Sequence, residues 1–269
     1  MINKNIKIFL ITFAFILINN FNIINAFAAP FYLSIKDNEG INEISRDNLM
    51  DKKSKVVFLT FDDGPSRHNT EKILDILKKN NVKASFFIIG ENAQRNKSVL
   101  KKLDENGMAI YPHCYNHNYK ELYKNKESYM EDLKRCIGII NESGISNNEK
   151  YVRMPGGSNN SNVDKKVIKD IKNEILNSGY NYIDWNVDSM DAYTKKVSVD
   201  TIKRNVIKES QNMRISVLLF HDSEIKINTV EALQYIIDFY KTHGYEFKTL
   251  NQITLQEKKR MKDSLIINR

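Results

Sequence analysis

Five short segments carry residues able to do hydrolytic or metal chemistry. Asp62 and Asp63 stand in Thr60-Phe61-Asp62-Asp63-Gly64-Pro65-Ser66, directly after the apolar run Val56-Val57-Phe58-Leu59. Neighbouring side chains on a strand point to opposite faces. An Asp-Asp pair there would bury at least one charge, which is costly unless a cation or hydrogen bonds receive it. Gly64-Pro65 supply a turn that lets both carboxylates converge on one cleft, although an acidic turn without function fits the same residues. His113 and His117 are four apart, so one helical turn or a tight loop brings both imidazoles to one point, as two metal ligands require. One carboxylate added to two histidines leaves a coordination position open for water. Further along stand Arg153 with Pro155, Gly156 and Gly157, then Asp188 and Asp191, then Leu219, His221 and Asp222.

These residues need a scaffold that brings them together, and the hydrophobic pattern supplies one. Strand-like runs over residues 56–61, 84–89, 108–111, 151–154, 182–187, 215–220 and 246–250 alternate with helix-like runs over 70–80, 96–106, 126–143, 163–178, 199–211 and 229–242. Gly107, Gly144, Gly179 and Gly244 stand where helices stop. Such alternation predicts a parallel α/β sheet with helical crossovers, as an open doubly wound sheet or a closed barrel. In either case active sites lie at the C-terminal strand ends, and nearly every strand here ends in the polar residues named above. No Gly-x-Gly-x-x-Gly follows the first strand, which removes the main support for a dinucleotide-binding fold.

The chain has 269 residues and a formal net charge of +8. Lys4 and Lys7, the apolar residues 8–18 and Ala26-Phe27-Ala28 form the layout of a secretory signal peptide over residues 1–28. The alternative is a retained N-terminal membrane anchor, for which the apolar run is short. Without those two lysines the charge is +6, a modest excess that suits solubility or attraction to an anionic cell wall. The basic residues form no aromatic-interleaved stripe, so nucleic acid is not an expected partner. A disulfide-stapled fold would use more than the two cysteines present, Cys114 and Cys136, so the core must hold itself together whether or not these two pair. Residues 29–54 read as an N-terminal arm, 55–251 as the folded domain, and 252–269 as a charged, helical or frayed tail.

Taken together, Thr60-Phe61-Asp62-Asp63-Gly64-Pro65, His113-x-x-x-His117, Arg153-x-Pro155-x-Gly157, Asp188-x-x-Asp191 and Leu219-x-His221 resemble, in order and spacing, the five motifs of the NodB-type polysaccharide deacetylases, carbohydrate esterase family 4. The resemblance covers about residues 55–250. It implies a distorted (β/α) barrel of about seven parallel strands, a divalent metal, commonly zinc with cobalt or another ion as alternatives, and removal of acetyl groups from N-acetylglucosamine-containing glycans. By resemblance Asp63, His113 and His117 would hold the metal. Asp62 would be the general base, paired with Arg153. A backbone N–H near Gly156 or Gly157 would face the oxyanion. His221 would protonate the departing amine, oriented by Asp191, and Leu219 would line a pocket for the acetyl methyl, with Pro155 shaping the adjoining loop.

Three positions depart from the family pattern. Cys114 stands where Ser or Thr follows the first histidine, Gly156-Gly157 replace Pro and an aromatic residue, and Ala192 replaces a Trp after Asp191. No ligand, base or acid is lost. The expectation is an exported, monomeric, metal-dependent hydrolase of glycan N-acetyl groups, with peptidoglycan or a chitin-like oligomer as partner and no protein partner. An O-acetyl esterase of xylan-type polysaccharide and a glycan-binding protein with a decayed site are the alternatives.

Overall fold

A computed structural model describes residues 54–269; the signal-peptide layout and most of the N-terminal arm lie outside the described residues. The chain runs β1 (Lys55–Asp62), α1 (Asn69–Lys79), β2 (Ser85–Ile89), α2 (Gly90–Arg95), α3 (Lys97–Glu105), β3 (Ala109–Cys114), α4 (Tyr119–Leu122), α5 (Lys126–Glu142), β4 (Tyr151–Val152), α6 (Lys165–Asn177), β5 (Asn181–Tyr182), β6 (Val187–Asp188), α7 (Val199–Glu209), β7 (Ile215–His221), α8 (Ile227–Thr242), β8 (Tyr245–Phe247) and α9 (Leu255–Asp263). The main sheet has the order β3-β2-β1-β7-β6, with β8 also paired to β1, and β4-β5 form a second pair. Every pairing between these strands is parallel. Arg153 N–H reaches Pro112 O at 3.4 Å, so β4 follows β3 in space. The predicted parallel α/β scaffold is present, as a curled sheet that does not close.

The opening lies where the sequence predicts one strand over residues 182–187. That stretch forms two short strands, β5 and β6, and between them the chain leaves the sheet. Ile183 pairs antiparallel with Ile267, and Asp184 N–H donates to Ile266 O at 2.9 Å. The C-terminal segment therefore fills the gap. Its charged composition belongs to α9, which starts with a capping box of Thr254 and Glu257. The two isoleucines beyond it are buried with Met261 and Leu250 inside the curl.

The two-residue period of β1 sorts its side chains. Val56 and Phe58 face inward with Phe87, Tyr111, Tyr151 and Val217. Val57, Leu59 and Phe61 face the helices, packing with Ile73, Leu77, Ile236 and Ile237. Phe61 stacks between Phe86 and Phe220 at ring distances of 5.1 and 5.4 Å. These aromatic and branched residues are what holds the strand ends rigid beneath the site. Thr60 and Asp62 continue the inward face, as do Leu219 and His221 on β7, whose register pairs Thr60 with Leu219 and Asp62 with His221.

Candidate active site

Asp62 and Asp63 reach one cleft because the chain changes direction between them. Asp62 ends β1 on the inward face, and Asp63 takes a left-handed φ of 79°. That conformation costs a non-glycine residue of order 1 kcal/mol, least for Asp and Asn. It persists because Asp63 N–H donates to Phe87 O at 3.2 Å and Asn92 Nδ2 donates to Asp63 O at 2.8 Å. Gly64 follows because nothing larger fits: a Cβ there would lie 2.1 Å from a carboxylate oxygen of Asp222. Asp222 is buried, accepts from Thr70 Oγ1, and sends its N–H to Asp62 O at 3.0 Å. Burial pushes its carboxyl up to about 7. The strand-end position of Asp222 was visible in the sequence; its place under Gly64 was not.

Asp63, His113 and His117 form a cluster whose ligand atoms all lie within 4.8 Å of one another. Asp63 Oδ1 stands 3.6 Å from His113 Nε2 and 3.7 Å from His117 Nε2. The histidines do not share a helical turn. His113 belongs to β3 at a point where the pairing with β2 slips, Pro112 opposing Ile88 and Cys114 opposing Ile89. Such a bulge re-aims a side chain. His117 sits in the loop beyond. His113 Nδ1 is 2.8 Å from Arg153 O, and a carbonyl only accepts, so Nδ1 carries the proton and Nε2 keeps its lone pair for the cluster. Burial, aided by His117, holds the His113 pKa well below the usual histidine range, keeping it neutral. Asp63 Oδ1 is buried without a hydrogen-bond partner. An orphaned carboxylate oxygen facing two imidazole nitrogens has the chemistry of a cation site, so the residues fit a divalent metal.

Arg153 is fully buried and ties the site together. Its Nη1 donates to Asp62 Oδ1 at 3.0 Å and to Thr60 Oγ1 at 2.5 Å, its Nε to Ile183 O at 3.2 Å and its Nη2 to Asp184 O at 3.1 Å. The guanidinium carbon lies 4.2 Å from the Phe87 ring centroid. Burial drives the Asp62 pKa up to about 6, against the downward pull of Arg153 and His221. A carboxylate with a pKa near neutrality is well matched to general-base work.

On the other side, His221 Nδ1 lies 2.7 Å from Asp191 Oδ1, and His221 N–H donates to Asp191 Oδ2 at 2.8 Å. Thr229 Oγ1 donates to the same Oδ2 at 2.7 Å, and buried Lys226 Nζ to Asp191 O at 2.8 Å. Thr229 and Lys226 carried no signal in the sequence, since they lie on and before α8 with no motif around them. Burial alone would lower the His221 pKa, but Asp191 overrides it and raises the pKa to about 9. A raised folded pKa makes the pair's stabilisation complete below about 6.5 and lost as pH climbs through about 9. In Asp191→Asn, NMR titration of His221 is expected to show its pKa falling by two units or more, on the order of a hundredfold in the protonation constant. An unchanged titration would mean another group sets its charge.

Of the remaining predicted residues, Leu219 lies on β7 and Pro155, Gly156 and Gly157 on the loop after Arg153. Leu219 is buried two residues before His221 on the same face. Pro155 O accepts from Tyr123 Oη at 2.7 Å, fixing the loop that follows Arg153. Gly157 N–H closes a turn onto Met154 O at 2.8 Å, so that amide is already engaged. The two glycines have a steric reason. A Cβ at 156 would stand 2.7 Å from Tyr119 Oη, and one at 157 would stand 3.0 Å from the Trp185 ring. Tyr119, 36% exposed, packs on His117 at a ring distance of 5.1 Å. An aromatic ring thus flanks the Asp63–His113–His117 cluster from α4. Cys114 and Cys136 are both free and buried.

At the strand ends of a curled parallel sheet stand a His-His-Asp cluster that fits a metal, a buried carboxylate–guanidinium pair and a His–Asp pair, an arrangement suited to hydrolysis. Residues 50–175 match the polysaccharide deacetylase family. A peptidoglycan-N-acetylglucosamine deacetylase of Bacillus cereus is 32% identical over 216 residues, spanning 79% of this chain and 75% of its own. A bifunctional xylanase/deacetylase of Pseudobutyrivibrio xylanivorans is 30% identical, over 75% of this chain and 31% of its own. The solved catalytic domain of a peptidoglycan N-acetylglucosamine deacetylase from Eubacterium rectale matches with a TM-score of 0.67 at 33% identity, covering 73% of this chain and 88% of that one. The chain belongs to the polysaccharide deacetylase family, the NodB-type enzymes of carbohydrate esterase family 4.

Proposed function

We propose that this protein is an exported, metal-dependent deacetylase that hydrolyses the N-acetyl groups of N-acetylglucosamine residues in peptidoglycan. The observation that carries the reading is the division of labour between adjacent carboxylates. Asp63 faces His113 and His117 with an unpartnered oxygen, while Asp62 pairs with Arg153. The peptidoglycan deacetylases of Bacillus cereus and Eubacterium rectale support the choice of glycan, and the signal-peptide layout of residues 1–28 supports export.

Asp63, His113 and His117 would hold a divalent ion, zinc being the expected one, and bound there it would supply Lewis acidity for the acetyl carbonyl and the attacking water. The chain's own residues do the rest. Asp62 takes the proton of the water whose oxygen bonds to the acetyl carbon, and Arg153 keeps that carboxylate aimed. Gly156 N–H donates to the oxygen that gains negative charge. His221, held protonated by Asp191, gives its Nε2 proton to the amine nitrogen as the C–N bond breaks, releasing acetate and free amine.

Metal-loaded protein is expected to release acetate from peptidoglycan fragments or chitooligosaccharides. Asp63→Ala and His117→Ala are each expected to lose both bound metal and release, read by metal analysis and acetate assay. Full metal content in both variants would end the ligand assignment. The bifunctional xylanase/deacetylase relative favours a second reading, O-acetyl esterase on xylan. Acetylxylan in the same panel separates the two: release from acetylxylan alone would replace the amide reading. No release from any of the three would favour a glycan-binding role.

A further inference from the structure

The loop between His113 and His117 must hold two imidazoles on one point, yet Cys114-Tyr115-Asn116 contains neither Gly nor Pro to stiffen it. The Cys114 side chain is buried, and a thiol is a weak hydrogen-bonding group. The restraint comes from α5 instead. Asp132 Oδ1 accepts the Tyr115 N–H at 2.6 Å, and Asp132 Oδ2 accepts the Asn116 N–H at 3.0 Å. Both oxygens of one carboxylate thus grip consecutive backbone amides between the two histidines. One turn along the helix, the Arg135 guanidinium lies 3.5 Å from the Tyr115 ring centroid and its Nη2 donates to Tyr115 Oη at 2.8 Å. On the opposite side Tyr115 O accepts the Glu91 N–H at 3.1 Å.

We propose that Asp132 is the positioning residue of the metal-ligand loop: its two-oxygen grip on the Tyr115 and Asn116 amides sets His117 against His113 and Asp63, and so sets metal affinity. The inference rests on the ligand reading given above. Charge-assisted bonds to backbone N–H groups are the strong kind, and two of them fix both the height and the twist of the loop. Groups that orient ligands from behind in this way characteristically govern metal affinity by ten- to a hundredfold, on the order of what is expected here.

The test uses full-chain apoprotein, titrated with zinc and with cobalt by chelator competition well below the unfolding temperature of each variant. Asp132→Ala is expected to weaken zinc binding roughly 10- to 100-fold. Asp132→Asn, which keeps one acceptor oxygen and the shape of the side chain, is expected to fall between it and the wild type. The cobalt absorption bands are expected to shift in both, reporting altered ligand geometry that a purely structural role would leave alone. Glu131→Gln, removing a neighbouring charge on α5, is expected to bind as the wild type does. Zinc affinities within twofold of wild type for both Asp132 variants would overturn the inference, as would an equal loss in Glu131→Gln, which would indicate long-range charge. Absence of zinc binding by the wild type would overturn the ligand reading and this inference with it, whereas binding lost in His117→Ala and unchanged in both Asp132 variants would overturn the inference alone.

Discussion

Asp62→Asn is expected to lower acetate release by a factor of about a hundred to ten thousand while leaving metal content at the wild-type level. The magnitude is that of removing a positioned general base. Asn has nearly the shape of Asp and keeps an oxygen to accept from Arg153 Nη1, which lies 3.0 Å from the carboxylate, so the fold has little reason to change. It cannot take a proton from water. Metal content should hold because the cluster consists of Asp63, His113 and His117, without Asp62. Parallel acetate assay and metal analysis separate the two roles. Release within tenfold of wild type would move the base elsewhere, and loss of metal would make Asp62 a ligand.

The second large effect concerns stability. Arg153→Met should destabilise the folded domain by about 3–5 kcal/mol, the usual cost of removing one partner of a buried ion pair. For a domain of this size that corresponds to a fall in Tm on the order of 6–20 °C. Four acceptors lose their donor together: Asp62 Oδ1, Thr60 Oγ1, Ile183 O and Asp184 O. The effect should also depend on pH, and its sign follows from Asp62. Burial already raises that carboxyl to about 6, and Arg153 opposes the rise. Without the guanidinium the pKa goes higher, so protonation relieves the buried charge in acid and not at neutral or alkaline pH. The stability deficit is therefore expected to grow from pH 5 to pH 8, measured by thermal unfolding at each pH. A deficit independent of pH would show that the lost carbonyl contacts, rather than the charge on Asp62, dominate. Arg153→Lys should not rescue fully, because an ammonium cannot span the four acceptors that the planar fork reaches.

The scaffold was legible because it rests on period and punctuation. The apolar runs over 56–61 and 215–220 read as strands, and β1 and β7 lie there. The apolar stripe of Ile73, Leu74 and Leu77 marked α1, and Gly179 marked the end of α6. Strand-end chemistry was equally legible, since a parallel sheet sends all its C-terminal ends to one side. Where the pattern failed, short pieces were the cause. Residues 182–187 form no single strand because the C-terminal Ile266 and Ile267 take over the pairing between β5 and β6. Nothing local in either segment announces a partner some eighty residues away.

Sequence alone, then, determined which side chains were present and on which end of the sheet they would gather: Asp62, Asp63, His113, His117, Arg153, Asp191 and His221. Periodicity and motif spacing are local properties, and they survive in one dimension. Only the tertiary structure decided what each neighbour does. The left-handed turn at Asp63 separates two adjacent carboxylates into one beside Arg153 and one beside two histidines. The bulge at His113 rather than a helical turn aims the first imidazole, and its Nδ1 contact with Arg153 O sets the tautomer. Burial, which depends on every strand and helix around the site, lifts Asp62 to about 6, and the partner found across the cleft lifts His221 to about 9. Desolvation and Coulomb attraction act through space, so they exist only once the chain has closed around these groups.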